Sequence, residues 1–140
     1  MLSHVTVGVS DHGRAVAFYD AVLRPLGLVR RPSRSEPPAT GWHLPGQKVP
    51  VFFAGTPFDG GAPIPGNGAM VAFLAPTQAA VDMAHGAGLA AGGTDEGAPG
   101  LRPQYGEGYY GAYLRDPDGN KVHVVHRGDL QPGAAEAQRG

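Results

Sequence analysis

The same order of elements occurs twice in this chain, and a duplication constrains the fold more than any single motif does. His4-Val5-Thr6-Val7 lies over Met70-Val71-Ala72-Phe73, each followed by a short break and a helical stretch. Further on, Gly46-Gln47-Lys48-Val49-Pro50-Val51 lies over Gly119-Asn120-Lys121-Val122-His123-Val124, with Gly, Lys and two Val shared. Each half therefore reads as strand, helix, then strands. That order predicts a four-stranded sheet with a helix on one face, made twice.

Alternation assigns the faces. In His4-Val5-Thr6-Val7-Gly8-Val9 the valines share one side and His4, Thr6 and Gly8 the other. Val5, Val7, Val9, Val71 and Phe73 are expected against the helices. His4, Thr6, Gly8, Met70, Ala72, Pro50 and His123 are expected on the opposite faces, which would together form a cupped, barrel-like cavity. Ser10 and Asp11 can cap a helix over about 14–23, with Ala15, Phe18, Tyr19 and Val22 on one side. Thr77 can cap a second, running from Ala80 to Gly88.

Asp116-Pro117-Asp118-Gly119-Asn120 is a strong turn. Pro117 presets φ at the first central position, and Gly119 can take a positive φ. It links Tyr109–Leu114 to the strand that carries His123. Gly 23 and Pro 14 cluster between apolar runs, so they punctuate rather than mark low complexity. Residues 31–41 read mostly as a mobile connection, with a solvated basic cluster at Arg30, Arg31 and Arg34. Residues 92–108 read as a glycine-rich loop. His12 and His85 are expected to be exposed on their helices. One domain is expected over 1–127: module one at about 2–55, a linker at about 56–67, module two at about 68–127. A disordered tail is expected over 128–140.

Bulk properties exclude several classes. A net charge of −1 implies no broad basic face for nucleic acid. The absence of cysteine removes disulfides, thiolate nucleophiles and Cys-ligated zinc. No apolar stretch approaches membrane-spanning length, and the N-terminal run breaks at Asp11. A cytoplasmic protein without a membrane partner is the expectation.

Three stretches in order, His4–Asp11, Ala17–Leu23 and Asp116–Asn120, resemble the vicinal oxygen chelate superfamily of glyoxalase, bleomycin-resistance and extradiol dioxygenase proteins. Gly97–Pro103 and Gly108–Ala112 are similar to a glyoxalase-like bacterial subgroup. The resemblance implies an α+β fold of two βαβββ modules forming a cupped mixed sheet, and a homodimer. It also implies a divalent-metal site on the first and last strand of each module. Carried over, those positions are His4, about Pro50, Met70 and His123. Proline offers no side-chain ligand, a thioether is a soft one, and no carboxylate completes the set. Gln104 and Gly106 stand where relatives of the subgroup often carry histidines.

The expected pocket therefore comprises His4, Thr6, Trp42, Phe52, Met70, Arg102, Tyr105, Tyr110 and His123, with Glu107 as a candidate general base. The leading reading is a cavity that binds a small organic molecule, its metal limited to weak binding by His4 and His123. The alternative is a metal-dependent lyase, isomerase or dioxygenase built on those two histidines.

Overall fold

The first strand and helix form as the alternation requires. Strand β1 runs His4–Gly8 and helix α1 runs His12–Leu23. Asp11 caps α1 by accepting from the Arg14 amide at 3.0 Å. Pro25 sits in a 3-10 turn at Arg24–Leu26 that ends it. The buried stripe of α1 is Ala15, Phe18, Tyr19, Val22 and Leu23. Burying each large member contributes about 1.5–3 kcal/mol. The structure is a computed structural model in which residues 1–133 are described.

The rest of the first module is β2 Val29–Arg30, β3 Arg34–Ser35, β4 Pro38–His43 and β5 Val51–Gly55. Its sheet has the order β1-β5-β4-β2, with β3 pairing on β4. The second module repeats the plan. Strand β6 is Val71–Leu74, helix α2 Gln78–Ala90, β7 Thr94–Leu101, β8 Tyr109–Arg115 and β9 Lys121–Arg127, in the order β6-β9-β8-β7. In both sheets the first strand runs parallel to the last. This is the expected pair of α+β modules with mixed sheets, and the two sheets are not closed into a barrel.

The helices touch one another on the inner side of both sheets. Gly88 of α2 lies where a Cβ would clash with Leu114 Cδ1 and meet Val22 Cγ2 at 2.8 Å. A side chain there would force the helices apart. The shared core joins Phe18, Tyr19, Trp42 and Phe52 of module one to Phe73, Leu114, Val122 and Val124 of module two.

The turn at Asp116–Asn120 fastens the modules together. Gly119 has φ +95° and its amide reaches the Asp116 carbonyl at 2.9 Å. The buried Asp116 carboxylate accepts from the amides of Asp118 and Asn120, from Asn120 Nδ2, each at 2.9 Å, and from the Tyr19 hydroxyl at 2.7 Å. Asn120 Nδ2 also donates to the Gly8 carbonyl, and Asp118 accepts from the Ser10 amide and hydroxyl. Burial, then the Asp116 charge, pushes the Tyr19 hydroxyl far above the usual tyrosine range, so it stays a donor.

Three regions differ from expectation. The glycine-rich stretch after residue 92 contains an eight-residue strand, β7. It is an edge strand with register shifts at Asp95/Gly97 and Gly97/Gly100, where glycine and proline are tolerated. Most of the expected connection at 31–41 is likewise strand, in β3 and β4. His85 is buried with Nε2 at 2.9 Å from Asp95 Oδ1, and His12 pairs with Thr40 at 2.8 Å, so neither is simply solvated. In the expected tail, Gln131 Nε2 donates to the Pro76 carbonyl at 3.1 Å, and residues 134–140 lie outside the described residues. No helix among the described residues is long and apolar enough to cross a membrane.

Candidate functional site

Register decides which side chains share a face. In module one, His4 pairs with Val51 and Thr6 with Phe53 across the parallel strands, and Gly41 pairs with Phe53 from β4. In module two, Ala72 pairs with His123 from β6 and Tyr113 with His123 from β8. Thr6 and Ala72 are equivalent, so the residue equivalent to His123 is Phe53. Pro50 is three residues out. The second sequence alignment placed matching turn residues together, while the strands themselves pair in a different register.

Each module has an open cleft on this face. The first, of about 460 Å³, is lined by His4, Thr6, Val51, Phe53 and Ala39, with Arg31, Arg34 and Lys48 around it. His4 is exposed, its Nδ1 at 3.0 Å from Ser3 Oγ and its ring edge-on to Phe53 at 5.7 Å between centroids. The second cleft, also about 460 Å³, is lined by Met70, Glu96, Arg102, Gln104, Tyr105, Tyr113 and Lys121.

His123 is beneath this second face rather than in it. The ring is 1 % exposed. Its Nδ1 lies 2.9 Å from the Ala112 carbonyl, which can only accept, so Nδ1 carries the proton. Nε2 is then the acceptor for the Tyr109 hydroxyl at 2.7 Å. Tyr113 stacks on the ring at 4.0 Å between centroids, with planes 8° apart, and Tyr109 lies on it at 5.8 Å. Burial pushes His123 below the ordinary histidine range. The backbone bond to Ala112 opposes this, and the charges of Arg102 and Lys121 add to it. This is a neutral imidazole with both nitrogens engaged.

Three of the expected pocket residues face elsewhere. Trp42 and Phe52 have the opposite parity from Phe53. They are buried in the core, where Trp42 Nε1 donates to Asp20 and Phe52 packs on Phe73 at 5.1 Å. They do border a separate apolar cleft of about 290 Å³ between the sheets, with Leu2, Val5, Pro50 and Met70. Tyr110 turns toward α2, and its hydroxyl donates to Asp82 at 2.6 Å. That bond holds the phenol above its usual range. Tyr109 and Tyr113, which share parity with His123, are the tyrosines of that face.

The other candidates are spread out. Arg102 donates to the carbonyls of Gly100 and Ala98 and lies over Tyr113, bracing its own loop. Tyr105 is exposed and packs on Tyr109 at 5.4 Å. Glu107 is exposed in the loop before β8. His4 and His123 lie in different sheets, His4 beside Phe53 and His123 between Tyr109 and Tyr113.

A divalent metal does not fit the residues present. No three His, Asp or Glu among the described residues cluster closely enough to hold one. With the register set, the four corresponding positions hold His4, Phe53 in place of the expected Pro50, Met70, and a His123 whose lone pair is taken. Asp118 Oδ2 is buried without a hydrogen-bond partner among the described residues, but no third ligand accompanies it and Asp116. Phe53 was the residue that sequence reasoning missed. Its signal was the parity it shares with His4 once β1 and β5 are paired in register.

Two mixed sheets, each with its first strand parallel to its last and each with its helix, define a paired-module α+β protein with an open cleft on each module. Residues 1–124 match the Glyoxalase/Bleomycin resistance protein/Dioxygenase superfamily, and the chain belongs to that family. A glyoxalase/bleomycin resistance protein from Albidiferax ferrireducens is similar to it at 40% identity and a TM-score of 0.78, over 91% of this chain and 98% of that one. Two further structures share the fold. A glyoxalase-related enzyme from Fulvimarina pelagi has 19% identity and a TM-score of 0.64 over 91% and 88% of the two chains. A glyoxalase/bleomycin resistance protein/dioxygenase family enzyme from Burkholderia phytofirmans has 21% identity and a TM-score of 0.63 over 89% and 96%. No curated protein matches the chain.

Proposed function

We propose that this protein binds a small organic molecule in a cavity that works without a divalent metal, and that two copies together enclose it. The observation that carries the reading is the state of His123. A ring whose two nitrogens are bonded to Ala112 and Tyr109 has no lone pair to give a metal. Ligation would require breaking the Tyr109 bond and turning the phenol away. Phe53 and Met70 at the equivalent positions supply no hard donor.

The openness of both clefts supports the homodimer. Each is a half-cup, and Met70 and Tyr105 leave apolar surface exposed around the second. The first-module face of one copy laid against the second-module face of another would cover both. In this reading the cytoplasm is where the protein acts.

Metal content of protein purified without chelator tests the first part. The expected result is less than one-tenth of an equivalent of any divalent metal per chain, on the order expected for a site lacking three ligands. One tightly held equivalent, lost on His4→Ala, would overturn it and favour a metal-dependent enzyme. Sedimentation velocity tests the second part, with a dimer expected and a stable monomer excluding the shared cavity.

A further inference from the structure

The first-module cleft carries a charge pattern that the cavity reading alone does not explain. Arg31, Arg34 and Lys48 border it, and no Asp or Glu lines it. Elsewhere cations are mostly engaged. Arg30 pairs with Asp20 at 2.9 Å, Arg115 pairs with Glu96, and Arg14 lies 3.6 Å from Asp118. Arg102 donates to two carbonyls, and Lys121 and Arg127 lie over the rings of Tyr113 and Tyr109. The cleft cations differ. None takes part in an ion pair among the described residues, and only Arg34 has a side-chain hydrogen bond, to the Pro37 carbonyl at 3.1 Å.

Below the cations the cleft is apolar. Its floor is Val51, Ala39 and Phe53, whose ring lies across Gly41: a Cβ on Gly41 would meet that ring at 2.8 Å. Thr6, Thr56, Ser3 and His4 add hydroxyls and an imidazole along the walls. Like charges brought together in one concave face repel, and the field they focus is satisfied by an anion. The guanidinium fork suits a carboxylate or phosphate, which it can bind bidentately. A flat apolar body would cover Phe53 and Val51.

We propose that the ligand of this cleft is a small organic anion, with a carboxylate or phosphate held by Arg31, Arg34 and Lys48 and an aromatic or branched apolar body on Val51 and Phe53. This rests on the cavity reading and names its ligand class. The chain as a whole is nearly neutral, at −1, so the selectivity comes from the local grouping and not from net charge.

Benzoate, phenyl phosphate and the neutral benzyl alcohol are the probes, followed by the backbone amide shifts of Thr6, Phe53 and Gly55 in the full chain. The anions are expected to shift these amides and to bind about tenfold or more tighter than benzyl alcohol. Raised salt should weaken them. Arg31 and Arg34 are exposed, so Arg31→Gln with Arg34→Gln leaves the fold intact. The double variant should lose about tenfold for the anions and nothing for the alcohol. Arg24→Gln, outside the cleft, should change neither. Preference for benzoate identifies the head group as carboxylate, and preference for phenyl phosphate as phosphate. Equal binding of all three probes, or an unchanged double variant, overturns the anion class and leaves the cavity standing. No shift from any probe overturns the cavity in this module as well.

Discussion

The two modules share a topology and differ at one cross-strand pair. In module one Phe53 faces Gly41, so its ring lies flat on the sheet and the cleft above it stays open. In module two His123 faces Tyr113, which stacks on it while Tyr109 bonds its Nε2. The same backbone register thus yields an apolar floor ringed by cations on one side and a closed aromatic stack on the other. Duplication preserved the pairing of strands, because that is set by backbone hydrogen bonds and the buried face. It left the outward residues free to diverge, because each needs only its immediate neighbours.

The modules also differ in how their hairpin turns are used. The Asp116–Asn120 turn reaches α1 and β1 of the other module, while the equivalent Leu44–Gln47 turn is held within its own module, by the Gln47 amide on the Leu44 carbonyl and the His43 ring on the Gln47 carbonyl. Asp116→Ala should therefore have the largest effect. It removes the acceptor of the Tyr19 and Asn120 donors, at a cost of about 3–5 kcal/mol. Gln47→Ala should cost less than about 0.5 kcal/mol. Chemical denaturation of the two variants checks the contrast, and equal losses would remove the asymmetry between the turns.

Next in size is Tyr113→Gly, which copies the module-one pairing into module two. Loss of the stack and of part of the strand's packing should cost about 2–3 kcal/mol. The H/D exchange rate of the His123 ring C–H should rise as the ring becomes accessible. An unchanged rate would mean that Tyr109 alone seals the face.

Acid should reveal the buried imidazole. Burial lowers the folded pKa of His123 from 6.5, so the unfolded chain takes up the proton first. Its contribution to stability is complete above that value and is lost as pH falls below it, by at most about 1.4 kcal/mol per pH unit. His123→Phe, the module-one residue, should flatten the stability profile below pH 6.5. A profile identical to that of the parent would show that His123 titrates normally. Apart from the Gln47→Ala control, the smallest effect is expected for Arg14→Ala, which removes a surface contact to Asp118 and should cost less than about 1 kcal/mol by thermal melting.

Much of the fold was legible in short-range signals. The alternation in His4–Val9, the caps Asp11 and Thr77, and the Asp-Pro-Asp-Gly turn each depend on residues within one element, so they survive reading without tertiary context. Strand β7 was not legible, since an edge strand with bulges tolerates the glycines that otherwise signal a loop. The face of Trp42, Phe52 and Tyr110 was missed for a different reason. Their parity is meaningful only once the cross-strand register is known, and a slip of one residue reverses it.

By itself the sequence determined two βαβ-type repeats, their helices, their core stripes and the Asp116–Asn120 hairpin turn, because hydrophobic period and turn chemistry are local. Only the tertiary structure decided that Phe53, and not Pro50, is the counterpart of His123. The tertiary structure also buried His123 between two tyrosines and gathered Arg31, Arg34 and Lys48 around one apolar floor. Those outcomes depend on register and on contacts between residues distant in the chain, which no local pattern encodes.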